Sequence, residues 1–145
     1  MERLYLLTGA AGYLGSNVAR ELVSCGANVR GLVLPGDKAA QKLPEAMERF
    51  EGDVLDRASL RRFFEAPAGT ELCVIHCAGI VSIGWNFNKR VHAVNVEGTR
   101  NVVAQCVESG VKKLVYVSSV HALRELPHGQ VITEGTEFDP DKIKG

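Results

Sequence analysis

An apolar run of strand length, Leu4-Tyr5-Leu6-Leu7, passes through Thr8 into three glycines spaced three apart: Gly9, Gly12 and Gly15. A helical pattern starts at once, with Leu14, Val18 and Leu22 on one stripe, and ends at Cys25-Gly26. Strand, glycine turn and helix in that order form the context that a dinucleotide-binding turn requires. Each glycine has a physical task there. Gly9 allows a tight turn off the strand, Gly12 lets backbone approach a pyrophosphate, and Gly15 lets the helix pack close to the strand. The first N–H groups of the helix, with roughly half a positive charge from its dipole, would face the phosphates. An ordinary strand–loop–helix with turn glycines accounts for the triplet equally well. The rest of the chain has to decide between the two.

The sequence has the length of one ordinary domain, 145 residues, and its 46% apolar and 23% charged content is that of a globular chain. Its formal charge is zero, so electrostatics gives no case for nucleic acid or an anionic membrane as partner. No apolar run approaches the roughly 20 residues of a membrane span. Met1-Glu2-Arg3 leads directly into the first strand, unlike a signal peptide. Cys25, Cys73, Cys77 and Cys106 show no CxxC spacing and no surrounding ligand set. They read as free thiols in a reducing cytoplasm, with no metal site expected.

Further along, Asn28–Leu34 reads as a second strand closed by Pro35-Gly36, and Asp37–Leu43 as a short helix. Arg49–Val54 reads as strand three, and Asp56 as the N-cap of a helix over Arg57–Ala66 with Leu60, Phe63 and Phe64 inward. Leu72–His76 is apolar nearly throughout, as a strand buried on both faces should be, and Cys77-Ala78-Gly79 is the turn after it. Ile80–Asn88 is irregular. A long helix is expected from Lys89 to Ser109, stopped by Gly110, and a fifth strand over Lys113–Ser118. Glu134–Gly145 is polar and turn-rich.

Strands alternating with helices imply an α/β fold, a doubly wound parallel sheet of Rossmann type with strand order 3-2-1-4-5. The whole of 1–145 is then one domain. A ligand on such a sheet lies at the carboxyl ends of the strands, beside strand one. That rule selects the turns at Thr8–Gly15, Leu34–Asp37, Asp53-Val54, Cys77–Gly79 and Ser118-Ser119.

Asp53 can accept a hydrogen bond from an adenine amino group, with Val54 as an apolar wall; it can equally start the following helix. Cys77, Ala78 and Gly79 are small enough for close approach to a ribose or pyrophosphate, or simply form a tight turn. At the end of strand two an acid would hold a ribose 2′-hydroxyl and an arginine a 2′-phosphate. Val33 and Leu34 do neither, Asp37 lies a few residues on, and Arg30 sits inside the strand, a slight lean to NAD over NADP. Ser119 can hydrogen-bond a substrate oxygen beside a nicotinamide, or serve as a turn or cap serine. Asn95 is an unusual choice inside a helix unless its amide bridges backbone groups of neighbouring loops. Gly98 permits close helix packing. His76 and His92 read as structural, and His121 and His128 as solvated.

Taken together, Thr-Gly-x-x-Gly-x-x-Gly at Thr8–Gly15, Gly-Asp-Val at Gly52–Val54, His-x-Ala at His76–Ala78, Asn-Val-x-Gly-Thr at Asn95–Thr99 and Val-x-Val-Ser-Ser at Val115–Ser119 resemble an extended short-chain dehydrogenase/reductase. The group is that of the NAD-dependent epimerases and dehydratases. The flavour is similar to dihydroflavonol reductases and 3β-hydroxysteroid dehydrogenase-like ketone reductases. The motifs span nearly the whole chain.

The resemblance implies an oxidoreductase that uses NAD or NADP on a small carbonyl or alcohol. A nucleotide-sugar epimerase or dehydratase, and a non-catalytic nucleotide-binding module, are the alternatives. It implies cofactor contacts from Thr8, Gly9, Gly12, Tyr13, Leu14, Gly15, Asp53, Val54, Cys77, Ala78 and Gly79. Ser119 would correspond to the catalytic serine. The family also uses Tyr-x-x-x-Lys as its acid/base pair. Here Tyr5, Tyr13 and Tyr116 are not followed by lysine at that spacing, and Lys142 and Lys144 have no tyrosine ahead of them. The chain therefore reads as the amino-terminal, cofactor-binding half of such an enzyme, truncated before its acid/base and inactive alone. Strand five would then be an open sheet edge and the long helix would expose apolar side chains, which favours self-association.

Overall fold

The computed structural model describes residues 2–82, 88–123 and 126–134. Residues 83–87 of the irregular Ile80–Asn88 segment, Lys142 and Lys144, and the tail after Glu134 fall outside the described residues.

Strands β1 (Arg3–Thr8), β2 (Asn28–Val33), β3 (Glu48–Glu51), β4 (Glu71–His76) and β5 (Lys113–Tyr116) form one sheet in the order β3-β2-β1-β4-β5. Every pairing is parallel. The expected doubly wound topology is therefore the observed one. Central β1 is flanked on both sides, with Leu4 opposite Asn28 of β2 and Leu72 of β4. Leu6 and Leu7 are successive residues with opposite faces, and both are fully buried. Leu6 belongs to a cluster with Leu32, Leu60, Phe63, Val74 and Val102; Leu7 belongs to one with Ala10, Ala19, Val29, Val33 and Met47. Two apolar layers on one sheet explain why β1 and β4 read as continuous apolar runs.

Helix α1 (Tyr13–Ser24) lies on the Leu7 layer. Its buried residues are Gly15 and Ala19, with Val18, Leu22 and Val23 partly buried, whereas Leu14 is 46% exposed. The apolar stripe is thus rotated from the one expected through Leu14, because small residues are what let the helix sit against the glycine turn. Helix α2 (Arg57–Phe63) lies on the Leu6 layer and begins at Asp56, whose carboxylate accepts the Ala58 N–H at 2.9 Å. It ends three residues before the expected Ala66. The Arg30 guanidinium takes the Phe63 and Glu65 carbonyls at 2.8 and 2.6 Å, satisfying chain-end acceptors without a further helical turn.

Strand β3 also ends earlier than expected. Pairing continues once, from Gly52 N–H to Val33 O at 2.9 Å. Asp53 then turns the chain, its carboxylate accepting the Leu55 N–H at 2.9 Å. Asp37–Leu43 contains a 3₁₀ helix over Lys38–Lys42 rather than an α-helix, capped by Asp37.

The long helix is present but is not uniform. It comprises α3 (Lys89–His92), a π-helical turn (Ala93–Gly98) and α4 (Thr99–Glu108). The junctions at Ala93 (φ −57°, ψ −52°) and Thr99 (φ −62°, ψ −43°) are helical, so the backbone runs through without a break. β5 stops at Tyr116, although Val117 N–H still reaches His76 O at 3.1 Å. It is an edge strand, and Val115, Tyr116 and Val117 are 37–52% exposed. Val103 and Val107 of α4 are also exposed.

Candidate functional site

The carboxyl ends of β1–β4 surround a solvent-open cleft of about 290 Å³. Its floor is the glycine turn, with Gly9, Ala11 and Gly12. One wall is Gly52–Leu55 after β3, the other Cys77–Ile80 after β4, and Arg90 and Val94 of the long helix close the far side. Leu32–Leu34 and Asp37 continue it past β2, where a second open hollow of about 450 Å³ adjoins.

The three glycines have different tasks. Gly9 has φ +67°, a left-handed conformation that favours glycine, and a Cβ on it would lie 2.6 Å from Ala78 N. Gly15 touches the turn so closely that a Cβ would lie 2.1 Å from Gly9 O. Gly12 is different: it is exposed and extended (φ −72°, ψ 171°), and its Cβ would meet only Gly9 O, at 3.2 Å. It occupies the N-cap of α1 and offers no side chain to the helix. The first amides of a helix have no intrahelical acceptor, and this first turn also carries no acidic residue. The donors of Tyr13, Leu14 and Gly15 are therefore left for an external anion, which is the donor set a pyrophosphate fits. The Tyr13 side chain is 92% exposed and that of Leu14 46%.

Thr8 is fully buried and does not line the cleft. Its hydroxyl accepts the Ala78 N–H at 3.2 Å and lies 2.6 Å from His76 Nδ1. His76 Nε2 meets the Thr99 hydroxyl at 3.0 Å. Both ring nitrogens are thus partnered, and burial lowers the imidazole pKa to about 4. This neutral histidine is structural, as expected, and with Thr8 and Thr99 it ties β1, β4 and the long helix together. Cys77 lines the cleft as a neutral thiol, its pKa raised by burial. Asp37 and Asp53 also line it. Each has one carboxylate oxygen accepting a local N–H, from Ala39 and Leu55 respectively, which leaves acceptor capacity on both. Arg30 is turned away, to Glu48 Oε2 at 2.7 Å and the carbonyls at the end of α2.

Asn95, in the π-helical turn, makes the bridge that its odd placement required. Its amide donates to Ile80 O at 2.9 Å and accepts from Ile80 N at 2.8 Å. Gly98 lets the helix close on Val54, where a Cβ would lie 2.7 Å from Cγ2. Ser119 is exposed beyond β5, its carbonyl accepting the Ala122 N–H at 2.9 Å, and it does not line the cleft. The sequence reading missed Arg90 and Val94, which reach the cleft at helical i, i+4 spacing, and Asn101, which donates to Val54 O at 3.0 Å.

This arrangement matches known proteins over nearly its full length. The profile of the 3-beta hydroxysteroid dehydrogenase/isomerase family aligns with residues 6–144. The chain belongs to that family. Human 3 beta-hydroxysteroid dehydrogenase type 7 is 33% identical over 144 residues, covering 94% of this chain and 38% of the human protein. Sterol demethylase protein B of Methylococcus capsulatus is 36% identical over 124 residues, covering 86% of this chain and 37% of that protein. Among solved structures, the Thermus thermophilus UDP-glucose 4-epimerase complex with NAD superimposes with a TM-score of 0.83 at 26% identity. That match covers 97% of this chain and 46% of the epimerase. The chain thus spans less than half the length of these relatives, and the part matched is their amino-terminal, extended short-chain dehydrogenase/reductase fold.

Proposed function

We propose that residues 1–145 form the dinucleotide-binding portion of an NAD(P)-dependent oxidoreductase that acts on a small carbonyl or alcohol. The observation that carries the reading is the uncapped amino terminus of α1 at Gly12, opening into a cleft walled by Asp53-Val54 and Cys77–Gly79. The pyrophosphate rests on the amides of Tyr13, Leu14 and Gly15, close to the small backbone of Gly9 and Gly12. Asp53 and Val54 take the adenine; Cys77, Ala78 and Gly79 border the ribose and pyrophosphate. Thr8 acts indirectly, by holding Ala78. Asp37 after β2 favours the free ribose of NAD, and Arg30 is engaged by Glu48 and the Phe63 and Glu65 carbonyls and does not line the cleft.

When bound, the nicotinamide supplies hydride transfer. Ser119 orients the substrate oxygen. The acid/base pair Tyr-x-x-x-Lys is absent from these residues. Losing a general acid/base lowers rates by about 10²–10⁴-fold, so the chain alone binds cofactor and turns over poorly. It works in the cytoplasm, and its exposed β5 edge and α4 valines favour self-association. A second reading, nucleotide-sugar epimerase, draws support from the 0.83 TM-score to the NAD-bound epimerase.

Calorimetric titration with NAD, NADH, NADP and NADPH tests the proposal. Binding of at least one is expected, with the unphosphorylated pair favoured. A folded chain that binds none of them at millimolar concentration contradicts it.

A further inference from the structure

Arg90 is the one cation among the described residues that line the cleft. Among the described residues its guanidinium forms no ion pair and no hydrogen bond, although Asp37 and Asp53 line the same cleft. Its place follows from the helix that carries it. Gly98 seats the long helix against Val54, and Val94, four residues back, packs on the same apolar layer. Arg90 lies four residues further back, so the stripe from Gly98 through Val94 to Arg90 climbs beside the Asp53–Leu55 wall. Helical side chains lean toward the amino terminus of their helix, which carries the exposed Arg90 side chain to the mouth of the cleft.

The long helix lies on the Leu6 layer and α1 on the Leu7 layer, so Arg90 and the free amides of α1 flank the cleft from opposite faces of the sheet. Phosphates drawn to those amides stay on the α1 side. On the Arg90 side the lining is Val54, Leu55, Ile80 and Val94, an apolar surface that suits a flat base, beside the Asp53 carboxylate. A guanidinium is planar and weakly hydrated, and it stacks on aromatic faces as an ammonium cannot. We propose that Arg90 stacks its guanidinium plane on the adenine of the bound dinucleotide and closes the mouth of the cleft over the base. The inference rests on the reading of this cleft as a dinucleotide site with its adenine at Asp53-Val54.

The experiment titrates the full chain with NAD, ADP and adenosine, comparing wild type with Arg90→Ala, Arg90→Lys and Arg90→Phe. Arg90 is exposed and belongs to neither core cluster, so circular dichroism should show each variant folded as wild type is. Arg90→Ala is expected to lose about fivefold to tenfold in affinity for all three ligands, because all three carry the base. Arg90→Phe keeps a flat face without the charge and should bind within about twofold of wild type. Arg90→Lys keeps the charge without the plane and should behave as the alanine variant does. A loss for NAD and ADP with adenosine unchanged, restored by lysine, would mean an ion pair with the phosphates and overturns the proposal. Arg90→Ala binding all three ligands as wild type does, the result for a merely solvated arginine, overturns it as well. Nuclear Overhauser contacts between the Arg90 side chain and the adenine ring protons in the wild-type complex need no variant; their absence at saturation would also overturn it. A folded wild type that binds none of the three would instead reject the reading of the cleft, and the inference with it.

Discussion

Gly12→Val separates the binding role of the glycine turn from its folding role. The backbone at Gly12 has φ −72°, which any residue adopts, and a Cβ there needs a shift of a few tenths of an ångström from Gly9 O at 3.2 Å. Exchange of an N-cap glycine for a branched apolar residue costs about 1 kcal/mol, or about 4 °C in melting temperature. The isopropyl group would stand over the amides of Tyr13–Gly15, where the pyrophosphate must come closest. A loss of at least about 100-fold in NAD affinity is expected, equivalent to about 2.7 kcal/mol. Gly9→Ala and Gly15→Ala are the contrast. The first combines a left-handed φ of +67°, a cost of about 1–2 kcal/mol, with a backbone contact at 2.6 Å. The second places Cβ 2.1 Å from Gly9 O, which α1 can relieve only by moving off the sheet. Both should unfold at markedly lower temperature than Gly12→Val. The assay is calorimetry for affinity and circular dichroism for melting. A folded Gly12→Val that binds NAD as wild type does, or a Gly15→Ala as stable as wild type, would refute the reasoning.

Two further outcomes follow from the same structure. His76 is held neutral, with its pKa lowered from 6.5 to about 4 by burial. The unfolded chain therefore takes up a proton first, so stability present above pH 6.5 is lost as pH falls toward 4, about 3 kcal/mol in all. Urea midpoints measured from pH 7.5 to pH 4.5 should fall along that window, and His76→Gln should flatten the fall; an unchanged slope in the variant would contradict the assignment. The open β5 edge with the exposed Val107 of α4 predicts self-association in sedimentation at tens of micromolar, reduced by Val107→Glu. A wild-type chain that sediments as a clean monomer would count against it.

The strand order was legible because β1 and β4 are buried on both faces and leave uninterrupted apolar runs, while each glycine or proline turn marks a crossover. The five strand-end turns were legible for the same reason. Four of them converge on the cleft, whereas the Ser118-Ser119 turn does not line it. Element ends were less legible, since they depend on distant partners. α2 stops early because Arg30, from β2, satisfies its carbonyls. The π-helical turn leaves no periodic trace and was not foreseen; Asn95, an amide inside a helix, pointed only to a bridge to a neighbouring loop, which it makes to Ile80. Thr8 could not be placed by motif alone: the fold spends its hydroxyl on Ala78 and His76, behind the cleft. Asn101 gave no signal, because an asparagine on a half-exposed helix looks like any solvated residue until Val54 is seen beside it.

The most direct test of the central claim is an amide chemical-shift titration of the ¹⁵N-labelled chain with NAD. The account predicts the largest saturating shifts at Gly12–Gly15, at Asp53–Leu55 and at Ala78–Ile80. Saturation with shifts confined to other residues, or no shift at millimolar NAD, would contradict it.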